Sequence, residues 1–276
     1  DELKNRGENH FDSWASTYGE TVTAIELSPE GNGYQSKTRF SKFYNLPELM
    51  TNIKQFADIQ TADMLNLPTP EVEYKKILTK PTKEQSEILK SFAERAEAVR
   101  NNEVEPNEDN MLKITNDGKK LALDQRLINE MLPDSPDSKV NTCVRNIYEI
   151  WEKSKEKRSA QLVFCDMSTP KGDKSFNIYD DMKRKLIEKG IPENEISFIH
   201  DANSEKQKDE LFSKVRKGEI RILFGSTQKM GAGTNVQNKL IALHDLDVPW
   251  RPSDLEQRAG RIVRQGNENE KVEIYR

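Results

Sequence analysis

The chain has 276 residues, 33% of them charged and 34% hydrophobic, with a net charge of −4; that length buries a substantial core as one large domain or two small ones. No apolar run approaches the ~18 residues of a membrane span, and the acidic start DELKNRGENH lacks the basic and apolar regions of a signal peptide. Two cysteines, Cys143 and Cys165, are too few for a disulfide framework or a zinc cluster, which places the expectation in the cytoplasm.

Residues 1–137 read as an irregular, mainly helical α+β segment. ETVTAIEL (20–27) alternates as a strand, PEGNG (29–33) supplies turn residues and YQSKTRFSKF (34–43) returns, predicting a β-hairpin. In 45–59, Leu46, Leu49, Ile53 and Phe56 recur at helical intervals, with Pro47 tolerated in the first turn. Thr82 and Gln85 form a capping box for a helix over 81–100, whose face carries Ile88, Leu89, Phe92, Ala96 and Val99. The polar stretch 101–110 reads as a mobile loop, and MLPDSPDS (131–138) as a linker that sets the domain boundary.

From Ser138 onward helix and strand alternate. An apolar stripe from Val140 to Trp151 follows a Ser138 cap, and QLVFCD (161–166) reads as a buried strand. A helix over 176–190 stops at Gly190 and Pro192, and a second, over 204–218, has a Ser204/Gln207 capping box and ends at Gly218. With ISFIHD (196–201), RILFGS (221–226), LIALHD (240–245) and VEIYR (272–276), five apolar runs predict an α/β fold: a parallel sheet with helices on both faces. Ligands in such folds sit beyond the carboxyl ends of the strands.

The residues after those strands carry the chemistry. TQKMGAGTNVQ (227–237) offers close backbone approach at Gly231 and Gly233 and hydrogen-bonding groups at Ser226, Thr227, Thr234 and Asn235. That suits a phosphate or ribose, and a structural turn accounts for the same residues. In DLDVPWRPSDLEQRAGRIVRQG (245–266), Gln257, Arg261 and Arg264 recur at intervals of four and three, so one helical face is expected to present an amide and two guanidiniums. Guanidinium forks match phosphate oxygens and keep their charge at neutral pH. Charge is asymmetric as well: residues 138–276 hold 26 Lys+Arg against 22 Asp+Glu, a weak pointer to an anionic partner that an ordinary solvated surface explains equally. His244 reads as a core histidine and His200 as a polar strand end. No spacing of ligands suggests a metal.

QLVFCD, GSTQKMGAGTNVQ and QRAGRIVRQG resemble, in order and approximate spacing, motifs IV, V and VI of the second RecA-like lobe of superfamily-two helicases and translocases. The likeness is nearest the Swi/Snf group, although Arg251 stands where that group has Asn. HFDSWASTYGE and RFSKFYNLPELM resemble the inter-lobe portion of phage and conjugative-element proteins that join such a helicase to an adenine-specific DNA methyltransferase. The resemblance implies an inter-lobe segment (1–137) and a helicase C-terminal RecA-like domain (138–276). It implies a nucleic-acid-dependent ATPase, a DNA helicase or translocase, in which Arg261 and Arg264 act as arginine fingers. Gln257, Gly231, Gly233, Thr234 and Asn235 would approach the nucleotide, and Ser226, Thr227 and Lys229 would face the backbone of DNA, expected to be double-stranded.

ATP and Mg²⁺ would be held mainly by an N-terminal RecA-like lobe, whose phosphate loop and acidic motif are not among these residues; NDGKK (116–120) has no glycine-rich loop before it. The chain starts without methionine and ends inside VEIYR, which reads as a fragment inactive by itself, with a fused methyltransferase a further partner of the whole protein. Two other classes compete: a non-catalytic RecA-like module that binds DNA or protein, and a dinucleotide-binding enzyme built on G-A-G. The latter lacks the acidic strand end ~20 residues on.

Overall fold

The computed structural model describes residues 2–27, 34–60, 62–65, 67–172, 175–231 and 235–276. The chain divides into two compact units, Asp1–Leu67 and Pro68–Arg276.

In the first unit, helix α1 (Phe11–Tyr18) runs into β1 (Gly19–Leu27), which pairs antiparallel with β2 (Tyr34–Phe43), followed by α2 (Leu46–Lys54). The hairpin matches the alternation in the sequence; its turn, 29–33, lies outside the described residues. Tyr18 is the buried anchor, accepting a hydrogen bond from Asn52 Nδ2 at 2.9 Å. Phe56, placed on a helical face by its spacing, follows the end of α2 and is 81% exposed.

The second unit is a RecA-like α/β fold. Its elements are β3 (Glu71–Lys75), α3 (Lys83–Arg100), α4 (Met111–Leu123), α5 (Lys139–Lys153), β4 (Ala160–Phe164), α6 (Ile178–Glu188) and β5 (Ile196–Phe198). They continue with α7 (Glu205–Lys217), β6 (Ile222–Gly225), α8 (Thr227–Gly231), β7 (Leu240–Asp245), α9 (Pro252–Ala259) and β8 (Lys271–Tyr275). Six strands pair in the order β3-β8-β7-β4-β6-β5, all parallel. The two faces follow from period-two alternation: Val163 and Cys165 pack with Ile147, Tyr179 and Met182 on one side, Leu162 and Phe164 with Phe212, Val215 and Leu243 on the other. Both expected capping boxes form, at Thr82/Gln85 and Ser204/Gln207, and Gly218 ends α7 in the left-handed region, φ +73°.

Four features differ from the sequence reading. The compact units part at Leu67/Pro68 rather than at 137/138, because β3 joins the same sheet as β8. The expected linker is pinned: Asp134 pairs with Lys185 at 2.6 Å and with Arg126 at 3.3 Å. The expected loop 101–110 is tied at its end, where Asp109 takes both Nε (2.6 Å) and Nη2 (2.8 Å) of Arg95, which also bonds Asp117 of α4. The strand expected over 196–201 stops at Phe198, and Ile199–Asp201 form a 3₁₀ turn.

His244 is a core histidine, 2% exposed and stacked on Tyr275 at 4.9 Å. Gln161 Nε2 donates to Ile147 O, so Gln161 Oε1 is the acceptor for His244 Nε2 at 3.0 Å, and Nδ1 is left without a partner. Burial pushes the imidazole down to about 3, so it stays neutral in the folded protein. An unfolded histidine titrates near ~6.5. Below that pH the unfolded chain binds a proton that the native chain refuses, and stability falls as the pH drops, by up to ~1.4 kcal/mol per pH unit until the native group titrates. Urea unfolding followed from about pH 7 to about pH 5 should show this slope, and H244Q should flatten it; identical slopes in the two proteins would refute the assignment.

Candidate functional site

Parallel register brings Phe164, Gly225 and Asp245 level at the carboxyl ends of β4, β6 and β7. The residues that follow, Asp166, Thr227 and Asp247, therefore converge just beyond the sheet. Into this convergence α9 inserts Arg258, which is 1% exposed. Its Nη2 meets Asp166 Oδ2 at 2.8 Å and Asp247 Oδ1 at 3.2 Å, its Nη1 meets Asp245 Oδ1 at 3.0 Å and the Asp247 carbonyl at 2.9 Å, and its Nε donates to Thr227 Oγ1 at 2.8 Å. The guanidinium also lies 5.0 Å from the centre of the Phe164 ring. Burial works against the charge of Arg258, but the bond to Asp245 and the fields of Asp166 and Asp247 outweigh it and hold the pKa above the ordinary value. Asp247 goes the other way: burial, then the neighbouring Asp166 carboxylate, raise its pKa.

The carboxylates are themselves tied to the strand ends. Asp247 Oδ2 accepts the backbone N–H groups of Asp166 (2.6 Å) and Met167 (2.8 Å), Asp166 accepts the N–H and hydroxyl of Thr227 (2.6 and 2.7 Å), and Asp245 Oδ2 takes Arg276 Nε at 3.0 Å. With its oxygens so engaged, this trio does not fit a Mg²⁺ ion, and among the described residues no other cluster of His, Cys, Asp or Glu does. Sequence spacing could not reveal Arg258, since its side-chain partners lie 92, 31, 13 and 11 residues away. Three aspartates at the ends of predicted strands were the available signal, because such a cluster demands a cation.

Beside this hub an open cleft of about 730 Å³ is lined by Asp166, His200, Ser226, Thr227, Lys229, Arg251 and Gln257, among others. It gathers Ser226, Thr227 and Lys229, read as nucleic-acid contacts, together with Gln257, read as a nucleotide contact. Lys229 and Gln257 are exposed. Thr227 is half-buried and its hydroxyl is already engaged by Asp166 and Arg258, so it links the cleft to the hub. His200 Nδ1 is buried without a hydrogen-bond partner, and burial followed by the charge of Lys229 lowers its pKa. Trp250 is 66% exposed, with Lys119 Nζ 3.7 Å from its ring centre.

The shared helical face of Gln257, Arg261 and Arg264 does not form. Helix α9 stops at Ala259, and Gly260 caps it, its N–H bonded to Glu256 O at 2.8 Å. Burial of Ala259 and Ile262 then draws the chain into turns that carry Arg261, half-buried, and Arg264, exposed. The two cations still sense each other: burial first, and Arg264 second, lower the pKa of Arg261. Guanidiniums of this kind can donate to phosphate oxygens. Of the remaining candidates, Gly231 closes α8, Gly233 and Thr234 lie outside the described residues, and Asn235 is exposed, its carbonyl held by Arg216 Nη1 at 2.6 Å.

Comparison with known proteins coincides with this part of the chain. Residues 138–266 match the helicase conserved C-terminal domain. Among solved structures, the C-terminal part of the Fun30 ATPase domain aligns at TM-score 0.52 and 12% identity, over 75% of this chain and 85% of that one, which shows a shared fold. The helicase MrfA bound to DNA aligns at TM-score 0.35 and 15% identity, over 48% of this chain and 18% of that one. The same helicase with DNA and AMPPNP aligns at 0.34 and 14%, over 48% and 17%. No match was found among curated proteins. No helix among the described residues is long and apolar enough to cross a membrane.

Removing Arg258 would leave Asp247 without a cation and Asp245 with Arg276 alone, beside a buried void. R258A should lower the unfolding free energy by about 3–5 kcal/mol, and R258K should recover only part of that, because an ammonium cannot span the same acceptors. Urea unfolding checks both. A loss below about 1 kcal/mol, the range of a solvent-exposed pair, would remove the hub from the account.

Proposed function

We propose that residues 138–276 form the C-terminal RecA-like lobe of a nucleic-acid-dependent ATPase, a DNA helicase or translocase. In this reading the lobe completes an ATP site whose phosphate loop and Mg²⁺ belong to a first lobe. The observation that supports it is the placement of two mutually repelling guanidiniums, Arg261 and Arg264, immediately after the helix that Arg258 locks to the strand ends. The match of 138–266 to the helicase C-terminal domain supports the same assignment.

ATP brings a terminal phosphoryl group whose charge spreads over its equatorial oxygens during transfer. Arg261 and Arg264 hold that charge with forks that cannot lose their protons, and they are aimed before the reaction by the hub, so little reorganisation is needed. Gln257 orients the nucleotide side of the cleft, and Gly231, Gly233, Thr234 and Asn235 are its further nucleotide contacts in this reading. Ser226 and Lys229 contact the phosphate backbone of duplex DNA. Thr227 transmits between that contact and Arg258, so closure on nucleotide and grip on DNA move one connected set of groups.

Substituting R261A or R264A in the full-length protein should reduce DNA-stimulated ATP hydrolysis about 10³-fold while duplex binding without nucleotide is kept. Unchanged hydrolysis would overturn this function and leave a RecA-like module that binds DNA or protein without serving an ATP site.

A further inference from the structure

Strand β2 carries Lys37, Arg39 and Lys42 and no carboxylate, although residues 1–67 hold only six Lys and Arg in all. In a regular strand side chains alternate, and Lys42 would stand on the face opposite Lys37 and Arg39. The register prevents this. Lys37 pairs with Ala24, Arg39 with Val22, Phe40 with Thr21 and Lys42 with Glu20, so Ser41 is the extra residue of a β-bulge. Cross-strand partners share a face. The bulge therefore moves Lys42 into line with Lys37 and Arg39, on the side of Val22 and Ala24, a face on which the register also places the two carboxylates Glu20 and Glu26.

The other side of the ribbon is occupied differently. Thr23 and Thr38 share a hydrogen bond of 2.7 Å there, and the Phe40 and Phe43 rings meet edge to face at 5.7 Å, with Trp14 of α1 6.3 Å from Phe43. A Cβ at Gly19 would run into the Phe40 ring and the Ala15 carbonyl, so the aromatic side closes against α1. The cationic side faces away from it, and Lys37, Arg39 and Lys42 are all exposed.

We propose that this cationic face of the β1–β2 ribbon is a second contact surface for duplex DNA, separate from the cleft of the RecA-like unit, and that it grips the phosphate backbone. The choice of ligand rests on the nucleic-acid reading above; the location does not. Two strand residues advance about 6.8 Å, the rise of two successive phosphates of one DNA strand, so cations at alternate positions keep pace with the backbone. A two-stranded ribbon also has the width of the major groove. Single-stranded DNA is the poorer fit, because its binding needs aromatic platforms beside the charges, and here the aromatic rings are on the opposite face. Contacts of this kind carry no sequence information.

The test is fluorescence anisotropy of a labelled duplex of arbitrary sequence titrated with the whole chain at several salt concentrations, beside a single strand of equal length. K37E/K42E should weaken duplex binding about tenfold or more at low salt and reduce the salt slope by about 1.8, the value for two lost phosphate contacts, while K37R/K42R keeps both. An unchanged thermal melt guards the fold, and K37Q/K42Q, which removes charge without reversing it, should move the slope in the same direction if the Glu variant melts early. Parent binding with an unaltered affinity and slope in the Glu and Gln variants would overturn the ribbon site and leave the cleft reading standing. A parent chain that binds no duplex would overturn both. Equal loss on the single strand would overturn the assignment to duplex.

Discussion

A guanidinium placed almost wholly out of water is the constraint on which the second unit depends. Unpaired, the Arg258 charge would cost several kcal/mol. Five hydrogen bonds, to three aspartates, a backbone carbonyl and a threonine hydroxyl, compensate it. The compensation works only if the ends of β4, β6 and β7 stay level and α9 enters at one depth. Parallel pairing provides the first condition, and Pro252 at the start of α9, with Ala259 packed into the core at its end, provides the second. Displacing α9 would withdraw the cation from the largely buried Asp245 and Asp247 side chains, so the helix and the strand ends are tied to one another.

That tie gives different meanings to three arginines within seven residues. Arg258 is saturated and serves as a positioning residue. Arg261 and Arg264 sit beyond the helix end, close enough that one lowers the pKa of the other. In the proposed function that pair would meet the terminal phosphate of a nucleotide from the end of a helix held by Arg258. Thr227 joins the same frame to the cleft that contains Ser226 and Lys229, through its bonds to Asp166 and Arg258.

The first unit solves a different problem with fewer means. A two-stranded ribbon has two faces and little core, so its aromatic residues are collected on one side against α1, around Phe40, Phe43 and Trp14. One inserted residue, Ser41, changes the parity of the strand and keeps the three cations of β2 together on the other side. Without that bulge the same composition would distribute charge over both faces and weaken the aromatic contact as well.

Much of the fold was readable from local pattern. Short apolar runs marked β4, β6, β7 and β8, capping boxes marked the starts of α3 and α7, and Gly218 marked a helix end, because each of these depends on neighbours a few residues away. Strand β3 was missed because its partner β8 is about 200 residues distant and EVEYK, although it alternates, is only five residues long. Helix α4 was hidden by the Asn116-Asp117-Gly118 break in its middle. At the site, the identities of Gln257, Arg261 and Arg264 were legible, and their common helical face was not, since the end of α9 is decided by burial of Ala259 and Ile262 rather than by spacing. The amino-acid order thus determined the alternating elements, their caps and which residues could meet a phosphate. Tertiary structure alone decided which arginine is locked inside and which two remain near the surface, because burial and charge pairing are settled between segments that meet only when the sheet closes.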